Sequence, residues 1–195
     1  IRDRACSVRE VLDHFDIEGD YDSIVSFAGK FTYFKGIDIL LNAAALYERD
    51  GVATLLAGDG ELFDEMTALA TQLGLKHVYF LHNQPHEVLR RLYSCATVSL
   101  LTSRNEAFGL VAIEALACGA PVIASDEGGP LDIITPEVGL QFQSENPEDL
   151  AREVQLVLDG DIDFDREEVA AYAREKYSQD VSIGALIALY EAATN

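Results

Sequence analysis

The stretch Ser103-Arg104-Asn105-Glu106-Ala107-Phe108-Gly109-Leu110-Val111-Ala112-Ile113-Glu114-Ala115-Leu116-Ala117 decides how this chain is read. Residues 96–101, just before it, read as a buried strand. From Gly109 to Ala117, Ala, Leu and Ile recur at the spacing of a well-buried helix. The turn between them is therefore expected at the carboxyl edge of a parallel sheet, where open α/β folds bind ligands. A helix starting near Gly109 offers free N–H groups and a positive dipole end to an anion, most simply a phosphate. Glu114 follows about five residues later, roughly 7 Å further along at ~1.5 Å per residue. That offset suits a carboxylate that accepts two hydrogen bonds from a sugar diol while the helix tip holds the attached phosphate. Glu106, on the loop, can reach a group on the far side of the phosphate.

Working outward, strand and helix alternate from about residue 23 to residue 160, the signature of a doubly wound, Rossmann-like parallel sheet. Strands are expected at 23–28, 53–57, 77–81, 96–101, 122–124 and 139–142. Helices are expected at 36–49, 61–73, 85–93, 109–117 and 147–158. Ile37, Leu40, Leu41, Ala44 and Ala45 follow helical spacing, and Val122-Ile123-Ala124 is a continuous buried-strand run. Ser7 is placed to cap a short helix through Phe15, with Glu18-Gly19-Asp20-Tyr21-Asp22 turning into the first strand. Two helices, 166–176 and 179–193, are expected to close the chain, the second capped by Ser178.

With 195 residues and 49% hydrophobic content the chain can bury the core of one large domain. No apolar run approaches the ~18 residues of a membrane span. Cys6, Cys95 and Cys118 are odd in number and have no metal or redox spacing, so unpaired thiols in a reducing cytoplasm are expected. The net charge of −20, from 34 acidic and 14 basic residues, argues against nucleic acid or an anionic membrane surface as a direct partner. It also fits a high-salt cytoplasm. A phosphate-bearing ligand must then be held by a few local cations, and Lys30, Lys35 and Arg104 all fall in loops expected to line the crevice. Lys76 and Lys176 are the remaining lysines.

Other stretches bear on the same edge. Gly29-Lys30-Phe31-Thr32-Tyr33-Phe34-Lys35-Gly36 follows the first strand, Leu56-Ala57-Gly58-Asp59-Gly60 ends the second, and Ala124-Ser125-Asp126-Glu127-Gly128-Gly129-Pro130 follows the fifth. Together with the E-x7-E spacing of Glu106 and Glu114, these four motifs, in this order, resemble the donor-binding half of retaining GT-B glycosyltransferases of the "glycosyl transferases group 1" type. The resemblance implies the C-terminal half of a GT-B fold, spanning 1–195 with its core at about 23–160. The chain is too short for a two-domain enzyme and begins at Ile1, so a piece of a longer protein is expected, with the N-terminal acceptor-binding domain as its partner. The implied donor is a nucleotide-diphosphate sugar and the implied reaction hexosyl transfer, without cofactor or metal. The longer enzyme is expected in the cytoplasm or peripherally at a membrane, with no segment inserted.

The resemblance also distributes roles. Lys30 and Lys35 contact the diphosphate and stabilise the leaving group, with Lys30 standing where Arg is commoner, so that a point charge replaces a fork. Glu106 positions hydroxyls of the transferred sugar, and Glu114 holds the ribose. Phe108, Gly109, Leu110, Val111, Gly29 and Gly58 line the donor. His82 and Asn83 end the third strand where the family usually has Gly, and backbone groups there read the nucleobase. An epimerase or phosphorylase half of the same architecture, or a non-catalytic nucleotide-sugar-binding module, are the alternatives.

Competing chemistries find less support. His82 and His86 are four apart, but Pro85 disfavours one helix through both. Asp159-Gly160-Asp161-Ile162-Asp163-Phe164-Asp165 resembles a calcium loop, yet Phe164 stands where Gly is needed and Ala170 where Glu is needed. A solvated linker with Asp165 capping the next helix is the better reading. No Gly-x-Gly-x-x-Gly follows the first strand, which disfavours a dehydrogenase. No Ser/His/Asp or Cys/His nucleophile constellation stands out either.

Overall fold

A computed structural model describes residues 7–178. Within them six parallel strands form one sheet in the order β3-β2-β1-β4-β5-β6. They are β1 (Tyr21–Ala28), β2 (Gly51–Ala57), β3 (Val78–Phe80), β4 (Val98–Leu101), β5 (Val122–Ser125) and β6 (Gly139–Phe142). The order reverses between β1 and β4, which makes the gap beyond their carboxyl ends the topological switch point of a doubly wound sheet.

The apolar strand runs are continuous because both sheet faces are covered. In β2, Ala53, Leu55 and Ala57 face one core while Val52 and Leu56 face the other, and β5 divides in the same way between Val122 and Ala124 on one side and Ile123 on the other. Helices α2 (Ile37–Tyr47), α3 (Phe63–Leu73) and α7 (Pro147–Leu158) cover one face. Helices α1 (Val8–His14), α4 (His86–Cys95), α5 (Leu110–Ala117) and α8 (Arg166–Tyr177) cover the other.

Every expected strand and helix within the described residues is present, with ends displaced by a few residues. Helices α2 and α5 start one residue later than expected because Gly36 (φ 61°) and Gly109 (φ 87°) adopt left-handed conformations outside the helices they precede. Asp165 caps α8 by accepting from the amides of Glu167 and Glu168, as its position implied. Ser7 stands at the N-cap of α1 without a side-chain cap bond. Two short elements are additional: a 3-10 turn at Tyr33–Lys35, and α6 (Pro130–Ile133). The helix expected at 179–193 lies outside the described residues. The expectation of unpaired thiols holds for Cys118, whereas Cys6 lies outside the described residues. No helix among the described residues is long and apolar enough to cross a membrane.

Candidate functional site

The loop after β1 and the loop after β4 meet at the switch point and are sewn together through their backbones. Thr102 Oγ1 donates to the carbonyl of Lys35 at 2.9 Å, and the Arg104 amide donates to the carbonyl of Phe34 at 2.8 Å. Across this seam the Lys35 ammonium donates to Glu106 Oε2 at 2.5 Å, and Ser103 Oγ donates to the same oxygen at 3.1 Å. Burial pushes the Glu106 carboxyl up, but the Lys35 bond and charge, with Ser103 and the Gly109 amide, outweigh it. The group therefore sits below its ordinary value. The loop after β5 braces Glu106 from the other side: the Gly129 amide donates to its carbonyl at 2.8 Å. A Cβ on Gly128, whose φ is 73°, would stand 2.5 Å from that same oxygen.

Directly beyond Glu106, α5 begins. The amides of Leu110 and Val111 lie in its first turn and have no intrahelical acceptor, so they point from a positive dipole end into the crevice mouth. Phe108 and Leu110 are 51% and 65% exposed beside them. Glu114 lies one turn further in and is exposed. Its sequence neighbours are apolar, but Ala115 and Leu116 point into the core and Glu114 does not, so helical periodicity rather than local composition sets its surroundings. Lys30 is exposed and has no ion-pair partner among the described residues.

Along the edge towards β3, the backbones close up. The Gly29 amide donates to the Ala57 carbonyl at 3.0 Å and the Gly58 amide to the His82 carbonyl at 2.8 Å. A Cβ on Gly58 would sit 1.9 Å from the Gly29 carbonyl oxygen. Gly58 is therefore explained by close approach of two loops. His82 has φ 52°, which accounts for a preference for Gly at this point of such a fold. Its Nδ1 lies 2.6 Å from Asp59 Oδ1, and the Asn83 amide donates to Asp59 Oδ2 at 2.8 Å. The His82 hydrogen bond, then the Asn83 amide, hold the Asp59 carboxyl below its usual range.

Arg104 departs from its expected role as a crevice cation. Its guanidinium grips Asp38 in a fork (2.8 and 2.6 Å), bonds Glu145 at 2.5 and 3.1 Å, donates to the Tyr33 carbonyl at 2.7 Å and lies 4.3 Å from the Tyr33 ring centroid. Two carboxylates already neutralise it, so it builds the site's wall. Sequence reading missed Ser103, Asp59 and the Gly128-Gly129 brace as parts of the site. All three lie within quoted motifs, but only the fold shows what they touch. His86 opens α4 with Pro85 as its cap, out of line with His82. No cluster of potential metal ligands occurs among the described residues.

The comparisons with known proteins agree with this fold. The chain is 39% identical over 168 residues to an uncharacterized glycosyltransferase of Methanocaldococcus jannaschii, covering 83% of this chain and 43% of that protein. It is 34% identical over 180 residues to a D-inositol 3-phosphate glycosyltransferase of Corynebacterium jeikeium, covering 86% and 43%. It thus spans about half the length of the curated relatives it matches. Among solved structures, Anabaena Alr3699/HepE in complex with UDP has the same fold, with a TM-score of 0.78 at 23% identity over 96% of this chain and 53% of that one. The family described as Glycosyl transferases group 1 matches residues 13–176, and the chain belongs to it.

Proposed function

We propose that this chain binds the nucleotide-diphosphate-sugar donor of a retaining, metal-independent hexosyltransferase. The observation that carries the reading is the Lys35–Glu106 pair at the switch point, beside the open first turn of α5. A cation, a carboxylate and unpaired amides lie together at the one edge where a doubly wound sheet binds ligands. Lys35, Lys30 and the α5 amides take the diphosphate and stabilise it as it leaves, which is electrostatic catalysis. Glu106 orients hydroxyls of the sugar. Glu114, exposed one turn along α5, takes the ribose diol. Leu110 and Val111 contribute through their backbone, and Phe108 borders the sugar.

The Anabaena structure, solved with UDP, supports a nucleoside diphosphate as the shared element of the donor. Transfer to an acceptor requires a second domain that closes over the crevice, excludes water and brings the acceptor hydroxyl to the anomeric carbon. In this reading that domain is the N-terminal part of a protein of the relatives' length. Calorimetric titration of the chain with UDP, GDP, ADP and their sugar conjugates tests the donor assignment. Saturable binding of at least one diphosphate, with further affinity from its sugar, is expected; no binding by any of them removes the proposal.

A further inference from the structure

Helix α6 is a single turn, in which the Ile134 amide donates to the Pro130 carbonyl at 2.9 Å. A helix of this length does not hold itself in place, because its nucleation is unfavourable and its last carbonyls have no intrahelical donor. The Leu131 and Asp132 amides donate to the Gly128 and Gly129 carbonyls, each at 3.2 Å, so the turn and the two glycines are tied into one unit. Those glycines lie directly on the backbone around Glu106. Besides the bond from the Gly129 amide to the Glu106 carbonyl, a Cβ on Gly129 would stand 2.6 Å from the Ala107 carbonyl oxygen and 2.7 Å from Phe108 Cα.

The near end of this loop is fastened to the sheet, since Ser125 Oγ donates to the Ser103 carbonyl at 2.8 Å and the Asp126 amide to the Phe142 carbonyl at 2.9 Å. Its far end is fastened from α8. The Tyr172 hydroxyl donates to the Ile133 carbonyl at 2.7 Å, and Ile133 is 1% exposed, so water does not stand ready to replace that donor. Helix α8 is itself anchored. The Arg166 guanidinium donates to the Ala96 and Ser94 carbonyls at 2.6 and 2.8 Å, and Val169 and Ala173 are buried in one core cluster with Ala112, Ala115 and Ile133. The Lys176 ammonium lies 4.3 Å from the centroid of the Tyr172 ring.

We propose that Tyr172 is a positioning residue for Glu106: its hydroxyl fixes α6 and, through the Gly128-Gly129 turn, sets the loop that carries the carboxylate. This rests on the donor reading above, in which Glu106 orients the sugar, and adds to it a side chain that acts through α6 rather than on the donor. Without the hydroxyl, the Ile133 carbonyl is buried with its donor gone, and α6 relieves this by shifting. The Glu106 loop shifts with it, whereas Lys35, whose carbonyl accepts from Thr102 Oγ1, keeps its place.

Tyr172→Phe keeps the ring and removes only the hydroxyl. Tyr47→Phe, which removes a buried hydroxyl 3.2 Å from Thr54 Oγ1 on the other face of the sheet, is the control for a tyrosine bond lost elsewhere. In the 195-residue chain, amide hydrogen exchange followed by NMR should speed at Gly129 by about three- to ten-fold in Tyr172→Phe, and not at Gly58, whose amide bonds the His82 carbonyl. Titration with UDP, GDP, ADP, UDP-glucose, GDP-mannose and ADP-glucose should show the sugar conjugate weakened by a similar factor and its bare diphosphate unchanged. Tyr47→Phe should produce neither effect. Unchanged exchange at Gly129, exchange that rises equally at Gly129 and Gly58, or equal losses for diphosphate and conjugate overturn the proposal and leave the donor reading standing. Binding of none of the six probes by the wild-type chain overturns both.

Discussion

Lys35 and Glu106, 71 residues apart in sequence, meet at 2.5 Å across the seam between the loops that follow β1 and β4. Each charge satisfies the other, and both side chains are mostly buried. In the donor reading proposed above, a diphosphate entering the crevice would compete with Glu106 for the Lys35 ammonium, and its arrival would free the Glu106 carboxylate to accept from sugar hydroxyls. On that reading the pair would couple the two halves of a donor at a single point.

Lys35→Ala should erase most of the preference for a nucleoside diphosphate over its monophosphate, a loss of about 1.5–3 kcal/mol for a charge-assisted contact. Raising the salt concentration should shrink the wild-type preference, because the loops are partly solvated. Titrations of UDP and UMP into both proteins at low and high salt check this. An unchanged preference in the variant removes Lys35 from the phosphate site.

The same pair makes stability depend on pH. The Glu106 carboxyl sits below its ordinary value of 4.5 in the folded protein, so its contribution is fully present above that value. It is lost as pH falls through the lowered folded value. Lys35→Met, which leaves the mostly buried Glu106 without its cation, should flatten this part of the acid limb and lower stability at neutral pH. Urea midpoints followed from neutral pH down through the carboxylate range measure both. Parallel curves for wild type and variant would show that the pair contributes nothing to folding.

Glu106→Gln and Glu114→Gln should separate cleanly. Glu114→Gln should weaken every nucleotide, with or without a sugar, by roughly 1–3 kcal/mol, since it removes acceptors for the ribose. Glu106→Gln should spare the bare diphosphate and weaken only the sugar-bearing donor. Equal losses for both ligands in both variants defeat this division of roles.

The sheet was legible in the sequence because continuous runs such as Val122-Ile123-Ala124 and helical spacing such as Ile37, Leu40, Leu41 and Ala44 answer directly to burial on two faces. Element ends were less so: whether Gly36 or Gly109 belongs to its helix depends on a left-handed φ that the letter G permits without requiring. The E-x7-E spacing placed Glu106 and Glu114 on the right loop and helix. It says nothing of the surroundings of Glu114, whose apolar neighbours Ala115 and Leu116 turn inward and leave it in solvent. Arg104 was read as a ligand-facing cation because only its own loop was visible. Its partners Asp38 and Glu145 come from the start of α2 and the turn after β6, 66 and 41 residues away.

That Arg104 cluster yields the last prediction. The side chain is only 10% exposed and spends its donors on two carboxylates and the Tyr33 carbonyl, tying the loop of Glu106 to the 3-10 turn of Lys35 and to the approach to α7. Burial raises the Asp38 carboxyl, but Arg104's hydrogen bond and charge outweigh it and hold it below its ordinary value. Deleting the cation leaves a half-buried carboxylate unpaired beside the site. Arg104→Ala should therefore cost about 2 kcal/mol in urea unfolding. Arg104→Lys should recover only part of this, because an ammonium cannot reproduce the fork on Asp38 while also reaching Glu145. If Arg104 instead contacted the donor phosphate, Arg104→Lys would keep stability and lose diphosphate affinity selectively. The expected pattern is the reverse: stability and donor affinity fall together, and Arg104→Lys retains the diphosphate-over-monophosphate preference that Lys35 provides.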